Sequence, residues 1–332
     1  MKILAVDTSC DDSCAAIIDT KAWKLLSEKV ISHLAPMQKF GGVVPEIASR
    51  EHLKALPLAI ESCLKESGLT LQDIDWFGVT HRPGLIGSLL VGVSYVKALA
   101  FATQKPFSVL NHIEAHLFSP FLATLENEEV PSFPWVALVV SGGHTELFLV
   151  QSLTEYRWLG GTLDDAAGEA FDKVGKLLGL NYPAGPVIDS LTSEKAKESD
   201  RKLPFPRSKV EGNHFSFSGL KTAVALFIQK TEAKTDAEKI KILASAQEAI
   251  LDSLIEKTRA AASEIPEARI VVTGGVACNS RLRERLNEAY FPQKRHCTDN
   301  AAMVAVLAGL KEKCGTLERA SWDVTAHSTG DF

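Results

Sequence analysis

The sequence predicts an α/β protein of two lobes, and three observations support that expectation. An apolar strand, a short polar turn and a returning apolar strand open the chain at residues 2–18, and the same unit recurs at 135–151. A third polar turn, Thr273-Gly274-Gly275-Val276, follows the apolar run Arg269 to Val272 and precedes a helical stretch. At 332 residues the chain is also long for a single core, and two domains are the expected organisation. The repeat is one of architecture rather than of residues. Glycine or aspartate turns at strand ends, in two similar halves, fit a nucleotide in the cleft between the lobes. The expected division is a first lobe of residues 1–132 and a second of 133–332.

Taken in order, Lys2 to Thr8 reads as a buried strand and Cys14 to Ile18 as its partner. Ser9-Cys10-Asp11-Asp12-Ser13 is the polar turn between them, with small donors able to meet a phosphate or simply to make the turn. Gly41-Gly42-Val43-Val44-Pro45 breaks the chain before a helix from Glu46 to Ser67. A strand, Asp75 to Thr80, then leads through Arg82-Pro83-Gly84-Leu85-Ile86-Gly87-Ser88 into a helix ending near Gln104. Pro106 to Asn111 is a short strand feeding Asn111-His112-Ile113-Glu114-Ala115-His116. On a helix, residues four apart project from one face, so His112 and His116 can grip one divalent ion. Equally, a bare His-x3-His can be a helix with surface or capping histidines. The spacing is not His-Glu-x-x-His: Glu114 is turned roughly 200° from His112 and is badly aimed as a base on a metal-bound water.

Leu125 to Pro134 reads as a linker, after which the strand Trp135 to Val140, the turn Ser141-Gly142-Gly143-His144 and the strand Thr145 to Gln151 repeat the opening pattern. Gly161 to Lys173 describes a helix start with Asp164 and Asp165 near its positive end, and Glu169 and Asp172 share a face. Tyr182-Pro183-Ala184-Gly185-Pro186 is a stiff turn with Asp189 on the helix beyond. The charged, proline-punctuated stretch Glu194 to Lys209 is the best local candidate for phosphate-backbone contact, or else an exposed loop. Phe215 to Lys221 alternates aromatics as a half-buried strand would, and 236–264 reads as a long amphipathic helix. Asp299 and Asn300 precede an alanine-rich helix as its cap.

Composition narrows the function. A net charge of −5 gives no global pull on nucleic acid or anionic membrane, so RNA contact needs a local patch or a helper protein. Six cysteines, at 10, 14, 63, 278, 297 and 314, form no C-x2-C pair, which suggests a reducing compartment. Met1-Lys2 leads to Asp7 too soon for the apolar core of a signal peptide, and Ser88 to Ala102 is interrupted by Lys97 and short for a bilayer span. The expectation is a cytoplasmic protein with no membrane partner.

Together these stretches resemble the TsaD/Kae/Qri family of tRNA N6-adenosine threonylcarbamoyltransferases, formerly labelled O-sialoglycoprotein endopeptidases. The matching residues are Asp7 to Asp11, Gly41 to Arg50, Asn111 to His116, Ser141 to Thr145, Asp164 to Lys173, Phe215 to Lys221, Gly274-Gly275-Val276 with Asn279, and Cys297 to Asn300. They run in order over nearly the whole chain, so the set is specific where each motif alone is not. The resemblance implies a two-lobed actin/sugar-kinase/Hsp70-like fold, of the duplicated ribonuclease H-like type. It implies one divalent metal, Fe2+ or Zn2+, held by His112, His116 and Asp299. It implies adenylate binding by Val139, Val140, Ser141, Gly142, Gly143, Asp172, Gly185, Asp189 and Asn279, and an acid/base or orienting role for Asp11. The chain departs from the family pattern at His81 and Arg82, which replace small residues before Pro-Gly, at Cys278 and at Ala184.

The reaction implied is transfer of a threonylcarbamoyl group from threonylcarbamoyl-AMP to N6 of the adenosine beside the anticodon, in tRNAs reading ANN codons. Partners implied are tRNA, a TsaB-like paralogue and a TsaE-like ATPase. Two other classes share the fold. A kinase or phosphotransferase would release ADP rather than AMP, and a non-catalytic scaffold of a tRNA-modification complex would be free to lose the ligand set.

Overall fold

In the computed structural model, which describes residues 1–231 and 235–330, the chain divides into two units: Met1–Val130 with Thr298–Phe332, and Pro131–Cys297. In the first, β1 (Lys2–Asp7), β2 (Asp12–Asp19) and β3 (Lys24–Ser32) form an antiparallel meander. β4 (Trp76–Arg82) and β5 (Phe107–Asn111) add in parallel, giving the order β3-β2-β1-β4-β5. The sequence missed β3 because its residues alternate only loosely and its outer face is half exposed. The α-helices before Val130 are α1 (Leu34–Gln38), α2 (Pro45–Ser67), α3 (Ile86–Thr103) and α4 (His112–Phe118).

Successive strand residues point to opposite faces, and here both faces are covered. Leu4, Val6, Ala15 and Ile17 bury themselves against Leu56, Ala59 and Ile60 of α2 and Leu89, Val93 and Val96 of α3. Each such large side chain withdrawn from water contributes about 1.5–3 kcal/mol. α3 is long and apolar enough to cross a membrane by composition alone, yet a third of it is buried within the protein, and Lys97 donates to the carbonyl of Val324 (3.1 Å).

The second unit repeats the frame. β6 (Trp135–Val140), β7 (Thr145–Val150) and β8 (Tyr156–Gly161) form the meander, and β9 (Arg269–Thr273) pairs in parallel with β6, giving β8-β7-β6-β9. Around it lie α5 (Ala167–Leu177), α6 (Ala184–Lys195), α7 (Ser218–Thr231), α8 (Asp236–Ser263) and α9 (Ser280–Arg285). α8 is buried all round from Ile242 to Leu251, so its middle is core, while exposed positions toward its two ends keep the amphipathic character expected of it. Phe215 and Phe217 are buried as their alternation predicts, but the strand reading ends there: α7 starts at Ser218. It starts there because Asp164 accepts from the N–H of Phe217 (2.7 Å) and the hydroxyl of Ser218 (2.7 Å).

α10 (Ala301–Lys313) corrects the expected boundary. Residues 298–332 were expected in the second lobe, but they pack with the first unit. The helix is buried from Ala301 to Leu310 and lies on β1, β2 and α4. Its alanines make this possible: a Cβ added at Gly78 of β4 would meet both Ala308 and Ala5 of β1, so small residues on both partners let helix and sheet approach closely.

Candidate functional site

The first unit holds a cluster of charge. Asn111 ends β5 and caps α4, its Oδ1 accepting from the N–H groups of Ile113 (2.8 Å) and Glu114 (3.1 Å). That fixes the helix phase from its first residue, and the rings of His112 and His116 stand 4.7 Å apart between centroids. Asn300 caps α10 in the same way, accepting from the N–H of Met303 (2.8 Å), and so sets Asp299 just ahead of the helix. Oδ1 of Asp299 lies 3.1 Å from Nε2 of His116 and 3.6 Å from Nε2 of His112. One ligand atom from each of the three residues falls within 4.8 Å of the others. All three donors belong to the first unit, because α10 returns to it; the expectation that the carboxylate would come from the second lobe is corrected.

Asp7, which the sequence reading left without a role, organises the cluster. Its Oδ2 accepts from Nδ1 of His112 (3.0 Å), while Oδ1 accepts from the Thr80 hydroxyl (2.8 Å) and the Ser9 N–H (2.9 Å). With its Nδ1 proton committed to Asp7, His112 turns Nε2 toward Asp299. A lone pair facing a carboxylate is repulsive unless a positive charge sits between them. Burial alone would depress the His112 imidazole, but the Asp7 and Asp299 carboxylates outweigh it and raise the group to about 9. Burial dominates at His116 and holds it below the ordinary value, and its buried Nδ1 has no hydrogen-bond partner among the described residues. Two imidazoles and a carboxylate, with a second carboxylate orienting one ring, are the donor chemistry of a borderline divalent ion, so the residues fit a metal.

Around this cluster the field is negative. Burial pushes Asp11 up, with the Asp299 charge adding to it against the Cys10 hydrogen bond. Burial also drives Asp12 to about 7, aided by Asp11, Asp299 and Asp7. Beneath the turn lies a network the sequence reading missed. Nε2 of His52 meets the Cys10 carbonyl at 3.0 Å, which requires a proton there and leaves Nδ1 to accept from Ser13 Oγ (2.7 Å); His33 Nε2 then donates to Ser13 (2.9 Å). A histidine on the same stripe as Ala48, Ala55 and Ala59 of α2 was the available signal. Glu114 faces elsewhere, as its position on the helix predicts, and pairs with Lys311 (2.7 Å). Arg82 aligns with Asn111 in the β4–β5 ladder and is partly buried.

The second unit presents backbone instead. Val139 and Val140 are buried at the end of β6, whereas Gly142 and Gly143 are exposed and a side chain added at either would meet open space. Gly274 is different: its φ is 93°, and an added Cβ would run into the Val140 carbonyl, so only glycine lets the turn after β9 close on the end of β6. The other expected residues form one chain of contacts. The Gly168 N–H donates to the Ser141 carbonyl (3.1 Å) at the start of α5. Asp172 on α5 accepts from the Ala184 N–H (2.7 Å) at the start of α6, beside Gly185. Asp189 on α6 accepts from the Ser280 N–H (3.0 Å) and hydroxyl (2.8 Å). Asn279 caps α9 through Leu282 (2.9 Å) and donates to Gln247 (3.1 Å). Asp172 and Asp189 thus spend carboxylate oxygens on positioning helices, a role their sequence neighbourhood did not reveal.

The stretch Glu194 to Lys209 is neither a free loop nor a fully available basic patch. Arg201 pairs with Glu248 (3.3 Å) and Arg207 with Asp252 (2.7 Å), strapping the segment to α8. Lys195, Lys197, Lys202 and Lys209 remain exposed.

Two units with this strand order, one bearing a candidate cation site and the other glycine turns at its strand ends, define an actin-like ATPase-fold protein. Solved structures agree on the fold. Component A of (R)-2-hydroxyglutaryl-CoA dehydratase from Acidaminococcus fermentans superposes with a TM-score of 0.53 at 14% identity, covering 95% of this chain and 99% of that one. HypF from T. kodakarensis gives 0.60 at 14% identity, over 94% of this chain and 48% of that one. Sequence comparison is more specific. The family described as "TsaD: tRNA N6-adenosine threonylcarbamoyltransferase" matches residues 24–306. Proteins of that name from Geotalea uraniireducens and Pelobacter propionicus are 47% and 46% identical, covering 92% and 98% of this chain and 90% and 96% of their own. The chain belongs to the TsaD family and is a tRNA-modifying acyltransferase.

Proposed function

We propose that the protein transfers a threonylcarbamoyl group from threonylcarbamoyl-AMP to N6 of the adenosine beside the anticodon, in tRNAs that read ANN codons. The observation that supports this reading above others is the His112–His116–Asp299 cluster within a TsaD-family chain, since a phosphotransferase has no need of that ligand set. His112, His116 and Asp299 would hold one Fe2+ or Zn2+ ion. Such an ion, when bound, supplies a Lewis acid for developing negative charge on acyl or phosphate oxygen. Asp7 keeps the proton of His112 on Nδ1, so Nε2 is presented as a ligand.

The acceptor amine is a weak nucleophile, its lone pair delocalised into the purine, so positioning and donor activation supply most of the acceleration. Val139 to Gly143, Asp172, Gly185, Asp189 and Asn279 would hold the adenylate, with exposed backbone at Gly142 and Gly143 free to approach phosphate. Asp11, whose carboxyl burial pushes above the ordinary range, would take or orient the amine proton. The acceptor base must leave its stack to be reached. The protein would act in the cytoplasm, with a TsaB-like paralogue and a TsaE-like ATPase as partners; its net charge of −5 favours shared tRNA docking.

The test is incubation with threonylcarbamoyl-AMP and tRNA, with and without those partners, followed by mass spectrometry of the digested nucleosides. Threonylcarbamoyladenosine with stoichiometric AMP is expected. Release of ADP from ATP without modified nucleoside would replace the proposal with a phosphotransferase.

A further inference from the structure

The two peptide groups that flank Asp11 are each held by a histidine. The Cys10 carbonyl accepts from Nε2 of His52 on α2 (3.0 Å), and the Asp11 carbonyl accepts from the backbone N–H of His33, the residue after β3 (3.0 Å). The Ser13 hydroxyl joins the two rings. Because His52 spends its Nε2 proton on Cys10, its Nδ1 is a lone pair, which takes the one hydroxyl proton of Ser13 (2.7 Å). The Ser13 oxygen is then left to accept from Nε2 of His33 (2.9 Å). The rings stand edge to face, 5.0 Å apart between centroids. His33, His52 and Ser13 are all buried, so solvent has little access to these bonds. On the other side of the turn, the Ser9 carbonyl accepts from the Leu85 N–H (2.8 Å) and lies so close to Gly84 that an added Cβ there would collide with it.

We propose that His52, coupled through Ser13 to His33, is a positioning residue for transfer: the network locks the backbone on both sides of Asp11, so that its carboxyl keeps one orientation toward the acceptor amine. The proposal rests on the reading of Asp11 as the group that takes or orients the amine proton.

Stability alone does not call for this network. Buried hydrogen-bonded partners can be replaced together by apolar groups of the same shape at little net cost, because folding only exchanges hydrogen bonds to water for internal ones. Every other buried side chain of α2, from Ala48 to Cys63, is apolar. What an imidazole adds at position 52 is a donor aimed at one carbonyl. The turn needs it: Asp11 and Asp12 are adjacent carboxyls that repel one another, and Asp299 repels both. With the flanking carbonyls released, the peptide planes can rotate to relieve that repulsion and carry the Asp11 carboxyl with them. A displacement of about 1 Å at a reacting group can cost about 100-fold in rate.

The experiment measures kcat and KM for threonylcarbamoyl-AMP, with tRNA and the partner proteins, in full-length variants whose folding and metal content are checked at the assay temperature. His52→Leu is expected to lower kcat about 10–100-fold with KM and metal content unchanged. His52→Gln, whose amide nitrogen can still donate to the Cys10 carbonyl, is expected to recover most of that rate. Amide hydrogen exchange reads the lock directly: the His33 N–H should exchange about ten-fold faster in His52→Leu and at the parent rate in His52→Gln. A double-mutant cycle then ties the lock to Asp11. In Asp11→Asn, adding His52→Leu should cost less than about two-fold more, because the group being positioned has already lost its function. Where His52→Leu fails to fold, Ser13→Ala, which cuts the link between the rings, carries the same cycle. Additive losses, equal rates for His52→Gln and His52→Leu, a loss confined to KM, or unchanged exchange at His33 overturns the proposal. Asp11→Asn at full rate removes the Asp11 reading and the proposal with it, whereas a slow Asp11→Asn with additive losses removes the proposal alone.

Discussion

The two units share a strand order through their first four strands and a polar turn after the first, yet they equip that turn in opposite ways. In the first unit, the turn after β1 carries Cys10, Asp11 and Asp12 over buried His33 and His52, and the strand ends in Asp7. Charge there is held by side chains, and burial shifts Asp11, Asp12 and His116 while the neighbouring carboxylates, against burial, raise His112. In the second, the equivalent turn is Ser141-Gly142-Gly143, with exposed backbone and no side chain to shield it. One frame presents side-chain donors whose chemistry fits a cation, and the other presents exposed backbone. The difference teaches that the strand order places the turn, while the residues on it decide what it can hold.

The sharpest separation of the two roles is ligand loss. His112→Ala is expected to abolish bound metal and take transfer below detection while the protein stays folded, because Asn111 still caps α4. Metal content by elemental analysis and unfolding by circular dichroism check this; full activity without metal removes the ion from the mechanism. Asp7→Asn spares the ligand but loosens its orientation, and about a 10–100-fold loss of metal affinity is expected. Neither change should alter the AMP binding proposed for the second unit.

Gly274→Ala is the converse. A φ of 93° and contact with the Val140 backbone leave no room for a methyl group, so a loss of about 1–3 kcal/mol and of AMP binding is expected. Metal stoichiometry should be untouched. Gly142→Ala, with nothing within 4 Å of the added carbon, should leave stability within about 0.5 kcal/mol and raise KM for the adenylate alone. Should metal content fall in Gly274→Ala, the two sites are not separable in this way.

pH offers a smaller effect. Asp12 is raised to about 7 in the folded chain from an ordinary value of about 3.9, so the folded state binds the extra proton between those values. Its contribution is present below the unfolded value and lost as pH rises through the folded one, amounting to at most about 4 kcal/mol. Metal-free protein should therefore lose more stability between pH 5 and pH 8 than Asp12→Asn does. A bound divalent ion should narrow the gap by favouring the carboxylate. Urea unfolding at the two pH values decides it, and identical losses in both proteins would falsify the assignment of this proton to Asp12.

Much of this was legible in the sequence. The strand–turn–strand repeat located β1, β2, β6 and β7, and the spacing of His112 and His116 set one face of α4. What was not legible depended on long-range packing. Asp299 joins the first unit because alanines of α10 fit against Ala5 and Gly78, a complementarity invisible until the chain is folded. Asp7 reads as the end of a strand, and only the β1–β4–β5 order brings it to His112. The arginines at 201 and 207 read as available charge, yet Glu248 and Asp252 lie more than forty residues away in sequence and claim both.

The smallest expected effect concerns the carboxylate closest in sequence to the imidazoles. Glu114 lies on the same short helix, and a metal-assisted hydrolase would want such a group as its base. Here it is buried against Lys311 of α10, whose ammonium lies 2.7 Å away. Glu114→Gln keeps the shape and one hydrogen bond while removing the charge, so a cost of about 1 kcal/mol in stability is expected. Transfer rate and metal content should stay within two-fold of the parent, roughly the scatter of a neutral substitution. A hundred-fold loss of rate with metal retained would put Glu114 among the reacting groups and reopen the chemistry that its place on the helix argues against.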